Sequence, residues 1–197
     1  EIFKEIKFDT KRILDYLRQQ AYLTRGIKIL FRDEREETTA SYAFYFDGGL
    51  VSFVKFLVSD EKPIHENIFY ISKNSDNILV EAALQYTEDI SAEELSFANN
   101  IHTGEGGMHM TGFRTALTRT LNDFARKNGY IKESEENLTG DDAREGISMV
   151  LSVKLREPQF EGQTKARLGN PEARTAVEAV IGETLAEWLE INSSDAR

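Results

Sequence analysis

Three groups of side chains in this sequence hold types and spacings that could do chemistry. The first lies in the run Pro158-Gln159-Phe160-Glu161-Gly162-Gln163-Thr164-Lys165, where Lys165 offers a compact ammonium and Gln163 a neutral amide donor. Such donors suit the anionic oxygens of a phosphate, and an exposed polar loop is the plainer reading of the same residues. The second is a basic island between Gly112 and Lys132, with Arg114, Arg119, Arg126, Lys127 and Lys132 set against Asp123 alone. Arg119 and Arg126 are seven apart and share a helix face, from which Arg114 is offset. Two readings stand for this island: a solvated helix face, or a surface making sequence-independent contacts with duplex phosphates. The third is Thr103-Gly104-Glu105-Gly106-Gly107, which lacks the Gly-Lys-Ser/Thr ending of a phosphate-cradling loop and reads as a strand-to-helix turn. His102, His109 and Glu105 around it lack metal-site spacing and read as ordinary loop residues. Asp141, Asp142, Arg144 and Glu145 fit a helix start, where acids face free backbone N–H groups, better than a catalytic carboxylate cluster.

The remaining composition narrows the classes of function. With 197 residues, 40% hydrophobic and 29% charged, one substantial core with appendages is expected. There are no cysteines, which removes disulfides and thiolate metal sites, and His65, His102 and His109 are too scattered for a zinc pattern, so no metal ligands are assigned. A net charge of -10 argues against a general nucleic-acid binder. No apolar run approaches the roughly 18 residues of a membrane span and no leader pattern is present, so a soluble, cytoplasmic protein with no membrane partner is expected. The opening Glu1-Ile2-Phe3-Lys4-Glu5 reads as the middle of a longer chain.

The elements that must position these groups follow from periodicity. Asp9 caps a helix carrying Ile13, Leu14, Leu17 and Ala21, which Gly26 ends. Ile27–Phe31 and Ser41–Phe46 form strands around the charged connection Arg32–Glu37, and Leu50, Phe53, Val54, Leu57 and Val58 recur as one buried helix face. The aromatic group Tyr42, Phe44, Tyr45, Phe46, Phe53 and Phe56 is read as core and sheet surface. Asn67–Lys73 and Ile78–Thr87 flank the turn residues Asn74-Ser75-Asp76-Asn77, the clearest hairpin in the chain. A strand through Leu95–Ile101 precedes a helix from about Met110 that buries Phe113, Leu117, Leu121 and Phe124 until Asn128-Gly129. Thr139 and Asp142 form a capping-box start, Ile147–Leu155 is rich in β-formers, and Glu157–Gly169 is a polar loop. The last element is a helix of roughly 20 residues, with Asn170 as cap, Pro171 at its first position and Val177, Val180, Ile181, Leu185, Trp188 and Leu189 on one side. An α+β fold results.

Two blocks carry a resemblance that periodicity does not supply. One is Ser96-Phe97-Ala98-Asn99-Asn100-Ile101-His102-Thr103 with Glu105-Gly106-Gly107 and Gly112-Phe113-Arg114-Thr115-Ala116-Leu117-Thr118-Arg119. The other runs from Leu138-Thr139-Gly140-Asp141-Asp142-Ala143-Arg144-Glu145-Gly146 through Ser152-Val153-Lys154 to Gln163-Thr164-Lys165 and Leu168-Gly169-Asn170. Together, in this order and separation, they resemble the transducer of bacterial type IIA DNA topoisomerase ATPase subunits, the family of gyrase B and its topoisomerase IV counterpart.

The resemblance implies that residues 1–38 correspond to the C-terminal end of a GHKL ATPase domain and residues 39–197 to the transducer domain. It further implies a ribosomal protein S5 domain 2-like fold with a left-handed β-α-β crossover and a long C-terminal helix. By the same resemblance, Gln163 and Lys165 contact the ATP γ-phosphate in the neighbouring domain, and Arg114, Arg119 and Arg126 line a DNA passage. The implied activity couples ATP binding and hydrolysis to dimer closure and strand passage that introduces negative supercoils, with decatenation by the topoisomerase IV counterpart as the alternative. ATP and Mg2+ serve the complete enzyme. The family's general base, magnesium-binding asparagine and lid motifs match no residue here, so no catalytic residue is assigned, and the chain alone is expected to bind no cofactor and be inactive. Implied partners are the upstream ATPase domain, a second copy of gyrase B, the gyrase A subunit and double-stranded DNA. A rival of another class is a stand-alone nucleic-acid-binding α+β module, against which the charge of -10 speaks.

Overall fold

The computed structural model describes residues 7–35 and 39–197, so the opening segment and the tip of the Arg32–Glu37 connection lie outside the described residues. The chain divides into two compact units, residues 1–53 and 54–197. In the first, helix α1 (Thr10–Leu23) starts where the Asp9 carboxylate accepts the Arg12 N–H at 3.1 Å. Strands β1 (Lys28–Asp33) and β2 (Ala40–Tyr45) pair antiparallel with Lys28 opposite Tyr45. Tyr22 stacks on Phe46 and Phe53 at centroid distances of 3.8 and 4.7 Å, making the unit's aromatic centre. Of the aromatic group, Phe44 and Phe53 are buried while Tyr42, Tyr45 and Phe56 are exposed. Because β2 pairs with β1, residues 40–45 belong to the first compact unit rather than the second. Helix α2 (Leu50–Leu57) runs across the division between the units.

The second unit is a five-stranded sheet covered by two long helices. Its strands are β3 (Phe69–Ser75), β4 (Ile78–Tyr86), β5 (Glu93–Ala98), β6 (Ile101–His102) and β7 (Ile147–Lys154), ordered β3-β4-β7-β5-β6. All neighbours are antiparallel except β5 and β7, which run parallel and are joined through helix α3 (Met108–Lys127), giving a β-α-β crossover. Helix α4 (Pro171–Ile191) lies beside α3 and sets Ala173, Ala176, Val177, Val180, Ile181 and Leu185 into the core with Phe113, Leu117, Met149 and Leu151. The helices approach closely at Gly112: a Cβ there would sit 3.1 Å from the Arg174 carbonyl carbon and nearer still to its oxygen.

Three expectations shift. The strand read through Leu95–Ile101 is broken into a hairpin, because Asn99 and Asn100 adopt φ of 49° and 63°, the left-handed pair of a tight two-residue turn. Helix α3 begins at Met108, two residues earlier than periodicity indicated, so His109 is a buried helical residue rather than a loop residue. The polar loop after β7 contains a short hairpin of its own, β8 (Phe160–Glu161) with β9 (Arg167–Leu168).

Candidate functional site

Gln163 and Lys165 sit at the tip of the β8–β9 hairpin, both exposed. The turn is made by Gly162 (φ 76°) and by Lys165 itself (φ 56°), whose N–H reaches the Gly162 carbonyl at 3.4 Å. Lys165 Nζ lies 6.0 Å from the centroid of the Phe160 ring, and among the described residues no carboxylate pairs with it. The hairpin presents an uncompensated cation and an amide at its end. Arg167, lower on the same hairpin, lies 3.4 Å from Glu161.

The base of this hairpin is held by the first family block. Leu168 N–H donates to the Gly106 carbonyl at 3.1 Å and Glu105 N–H to the Ala166 carbonyl at 2.9 Å, and Gly107 and Leu168 form a parallel bridge. The structure thus brings together the Gly-rich turn and the Gln-Thr-Lys loop, which lie about 60 residues apart in sequence. Beside them is a polar recess of about 320 Å³ bordered by Glu94, Thr103, Gly104, Arg114 and Arg167. Beneath the turn, Ser96 Oγ lies 2.7 Å from Thr103 Oγ1, which lies 3.0 Å from His109 Nε2. Burial lowers the His109 pKa to about 4, so the ring is neutral, and its Nδ1 has no hydrogen-bond partner among the described residues.

The arginines of the basic island occupy α3 but are not free cations. Arg114 forms a two-pronged pair with Glu94, Nε to Oε1 at 3.0 Å and Nη2 to Oε2 at 2.5 Å, which pushes its pKa up. Arg119 Nη1 donates to Glu178 Oε1 on α4 at 2.8 Å, and Lys127 Nζ to Glu190 Oε1 at 2.7 Å. Arg126 is used differently, donating to Asn137 Oδ1 and to the carbonyls of Lys132 and Glu135, so it closes the loop that follows α3. Arg114, Arg119 and Arg144 border an open groove of about 540 Å³ with Thr118 and Asn137. Arg126 is absent from that border.

The acidic cluster resolves as structure. Thr139 N–H donates to Asp142 Oδ2 at 2.7 Å and Asp142 N–H to Thr139 Oγ1 at 3.2 Å, a reciprocal capping box ahead of the 3-10 turn Asp142–Arg144. Asp141 accepts from Arg144 at 2.5 Å. Sequence reasoning missed Glu94 and Glu178 as partners of the arginines, and it missed Asn170 as anything but a helix cap.

Residues 49–197 match the family model described as DNA gyrase B. The chain is 47% identical over 193 residues to the DNA gyrase B protein of Clostridium acetobutylicum, covering 98% of this chain and 30% of that protein. It is 46% identical over 200 residues to the DNA gyrase B sequence of Bacillus mycoides, covering 49% of it. Among solved structures it is similar to the 43K ATPase domain of Thermus thermophilus gyrase B in complex with an aminocoumarin, with a TM-score of 0.87 and 42% identity, over 99% of this chain and 52% of that one. A topoisomerase IV ATP-binding domain from Francisella tularensis superposes with a TM-score of 0.81 at 25% identity, over 98% of this chain and 52% of that one. The chain therefore spans about half the length, or less, of these relatives.

Proposed function

The chain belongs to the DNA gyrase B family, and from that premise we propose that it is the transducing part of an ATP-dependent type IIA DNA topoisomerase. In this reading the complete protein joins a second copy of itself and the gyrase A subunit in the cytoplasm. ATP binding and hydrolysis close the dimer and drive a duplex through it, introducing negative supercoils. Residues 1–38 are proposed to be the C-terminal end of the upstream ATPase domain and 39–197 the transducer, whose first strand, β2, pairs back onto β1. MgATP supplies the transferable γ-phosphoryl group, and this chain's part is to sense it.

The observation that carries the reading is the contrast between Lys165 and the cations of α3. Arg114, Arg119 and Lys127 are matched by carboxylates and Arg126 by carbonyls, while Lys165 stands at a hairpin tip with only the face of Phe160 beside it. An ammonium held out in this way fits the terminal phosphate of a nucleotide, and Gln163 adds a neutral donor for a second oxygen. The hairpin's backbone ties to the turn before α3 make a displacement of the tip a displacement of the helices' starting points. Mg2+ is proposed to accompany the nucleotide phosphates in the ATPase domain, where the family resemblance places its ligands.

Arg114, Arg119 and Arg126 are proposed to border the DNA path. Each must exchange an internal partner for a phosphate, which makes the contact weak and sequence-indifferent. The test is reconstitution of the complete protein with its cleavage partner on relaxed plasmid. Negative supercoiling that requires ATP is expected, and decatenation without supercoiling would assign the chain to the topoisomerase IV activity instead.

A further inference from the structure

Asn170 stands at the N-cap of α4, where an Asn side chain ordinarily accepts an N–H from the helix's own first turn. Here it makes no such bond. The residue is buried, 1% exposed, and its side chain reaches the strand entering the Gln163–Lys165 hairpin. Oδ1 accepts the Gln159 N–H at 2.6 Å, and Nδ2 donates to the Glu157 carbonyl at 3.1 Å and to Glu172 Oε1 at 2.7 Å. Gly169 N–H closes the same ring by donating to the Gln159 carbonyl at 2.7 Å. The helix start falls instead to Glu172, whose carboxyl is held below its usual range by the Asn170 amide and by its own backbone N–H.

Every hydrogen-bonding site used on the Asn170 side chain is thus spent on joining the hairpin's first strand to the first turn of α4. The hairpin's second strand is tied by backbone bonds to the turn before α3. We propose that Asn170 is the positioning residue that makes the loop bearing Gln163 and Lys165 and the start of α4 move as one piece, so that loop displacement by a terminal phosphate reaches the helix. The proposal rests on the reading of Lys165 as the phosphate contact. Buried beneath the hairpin, Asn170 acts through Lys165.

The decisive variant is Asn170→Ser, since serine is as good a helix cap as asparagine yet is too short to span Gln159 and Glu157. In the complete protein it should leave α4 folded but speed hydrogen exchange of the amides over residues 159–169. ATPase kcat should fall by about ten-fold or more with ADP affinity unchanged, the scale expected when a group contacting the reacting phosphate is misplaced. In a Lys165→Ala background the same substitution should add little, because both changes then remove one function. Asn170→Asp, which turns an acceptor onto the Glu157 carbonyl and the Glu172 carboxylate where Nδ2 donates, should not recover the rate. Parental exchange over 159–169, or a parental kcat, or effects of Asn170→Ser and Lys165→Ala that simply multiply, would each overturn the proposal. A Lys165→Ala protein that hydrolyses ATP normally would instead bring down the phosphate-contact reading, and this inference with it.

Discussion

Gly107 and Leu168 meet backbone to backbone: at φ 128° the glycine forms a parallel bridge with Leu168, and a Cβ added there would lie 2.5 Å from the Leu168 nitrogen. The atoms that would collide are main chain, with no side chain to move aside. Gly107→Ala should therefore destabilise the chain by at least about 2 kcal/mol, combining a disfavoured φ with overlap against fixed backbone. Denaturant unfolding measures it, and a loss below about 0.5 kcal/mol would mean that the bridge is not part of the folded ensemble.

His109 should give the chain an acid-sensitive stability. Its folded pKa of about 4 lies below the ordinary 6.5, so the unfolded state binds the extra proton and stability falls as pH drops through that window. Its full contribution is present above pH 6.5 and is lost progressively toward pH 4, at up to about 1.4 kcal/mol per pH unit. His65 and His102 are lowered in the same direction, also by burial, so the comparison must be with a variant. Unfolding curves of the parent and of His109→Gln at pH 7, 5.5 and 4.5 should converge as pH falls. A constant gap would show that His109 is not buried neutral.

The 197-residue chain alone should release no phosphate from MgATP. A loop that contacts only the terminal phosphate supplies neither a general base nor a metal site nor a base-binding pocket. Turnover clearly above a heat-inactivated control would be contrary to this expectation.

DNA binding by the chain should be weak, indifferent to sequence and steep in salt. Arg114 and Arg119 side chains keep 46% and 52% of their surface exposed while paired with Glu94 and Glu178, so phosphates compete with built-in carboxylates. Replacing both with Gln should lower the salt slope by about 2, one unit for each phosphate contact. Arg126→Gln should also loosen the loop that its guanidinium closes. Binding that ignores salt, or strongly prefers one duplex, would remove these residues from the DNA path.

Much of this organisation was legible in the sequence where local chemistry and periodicity agree. Helix α4 shows both its Pro171 start and its apolar stripe, Asp9 caps α1, and the Thr139–Asp142 box was visible as a spacing. The Asn99–Asn100 turn was missed because β-formers on both sides read as one strand, and only the two left-handed residues reveal the reversal. The start of α3 was missed because Gly107 offers no side-chain cap to mark it. For the candidate site, the family resemblance points to the loop residues, while the ties that hold the loop lie beyond the reach of local spacing. Arg119 and Glu178 are 59 residues apart, and Asn170 before Pro171 looks like an ordinary helix cap until its side chain is seen on Gln159.

The most direct test is Lys165→Ala in the complete protein, with ADP affinity by calorimetry and ATPase rate measured on one preparation. ADP has no γ-phosphate, so its affinity should be nearly unchanged. Hydrolysis and ATP-driven supercoiling should fall by about 2 kcal/mol of transition-state stabilisation or more, the loss expected of a charge-assisted contact to the reacting phosphate. Lys154→Ala, on β7, should have a smaller effect. Hydrolysis by Lys165→Ala at the parental rate would contradict the phosphate-sensing role and leave the hairpin a structural loop.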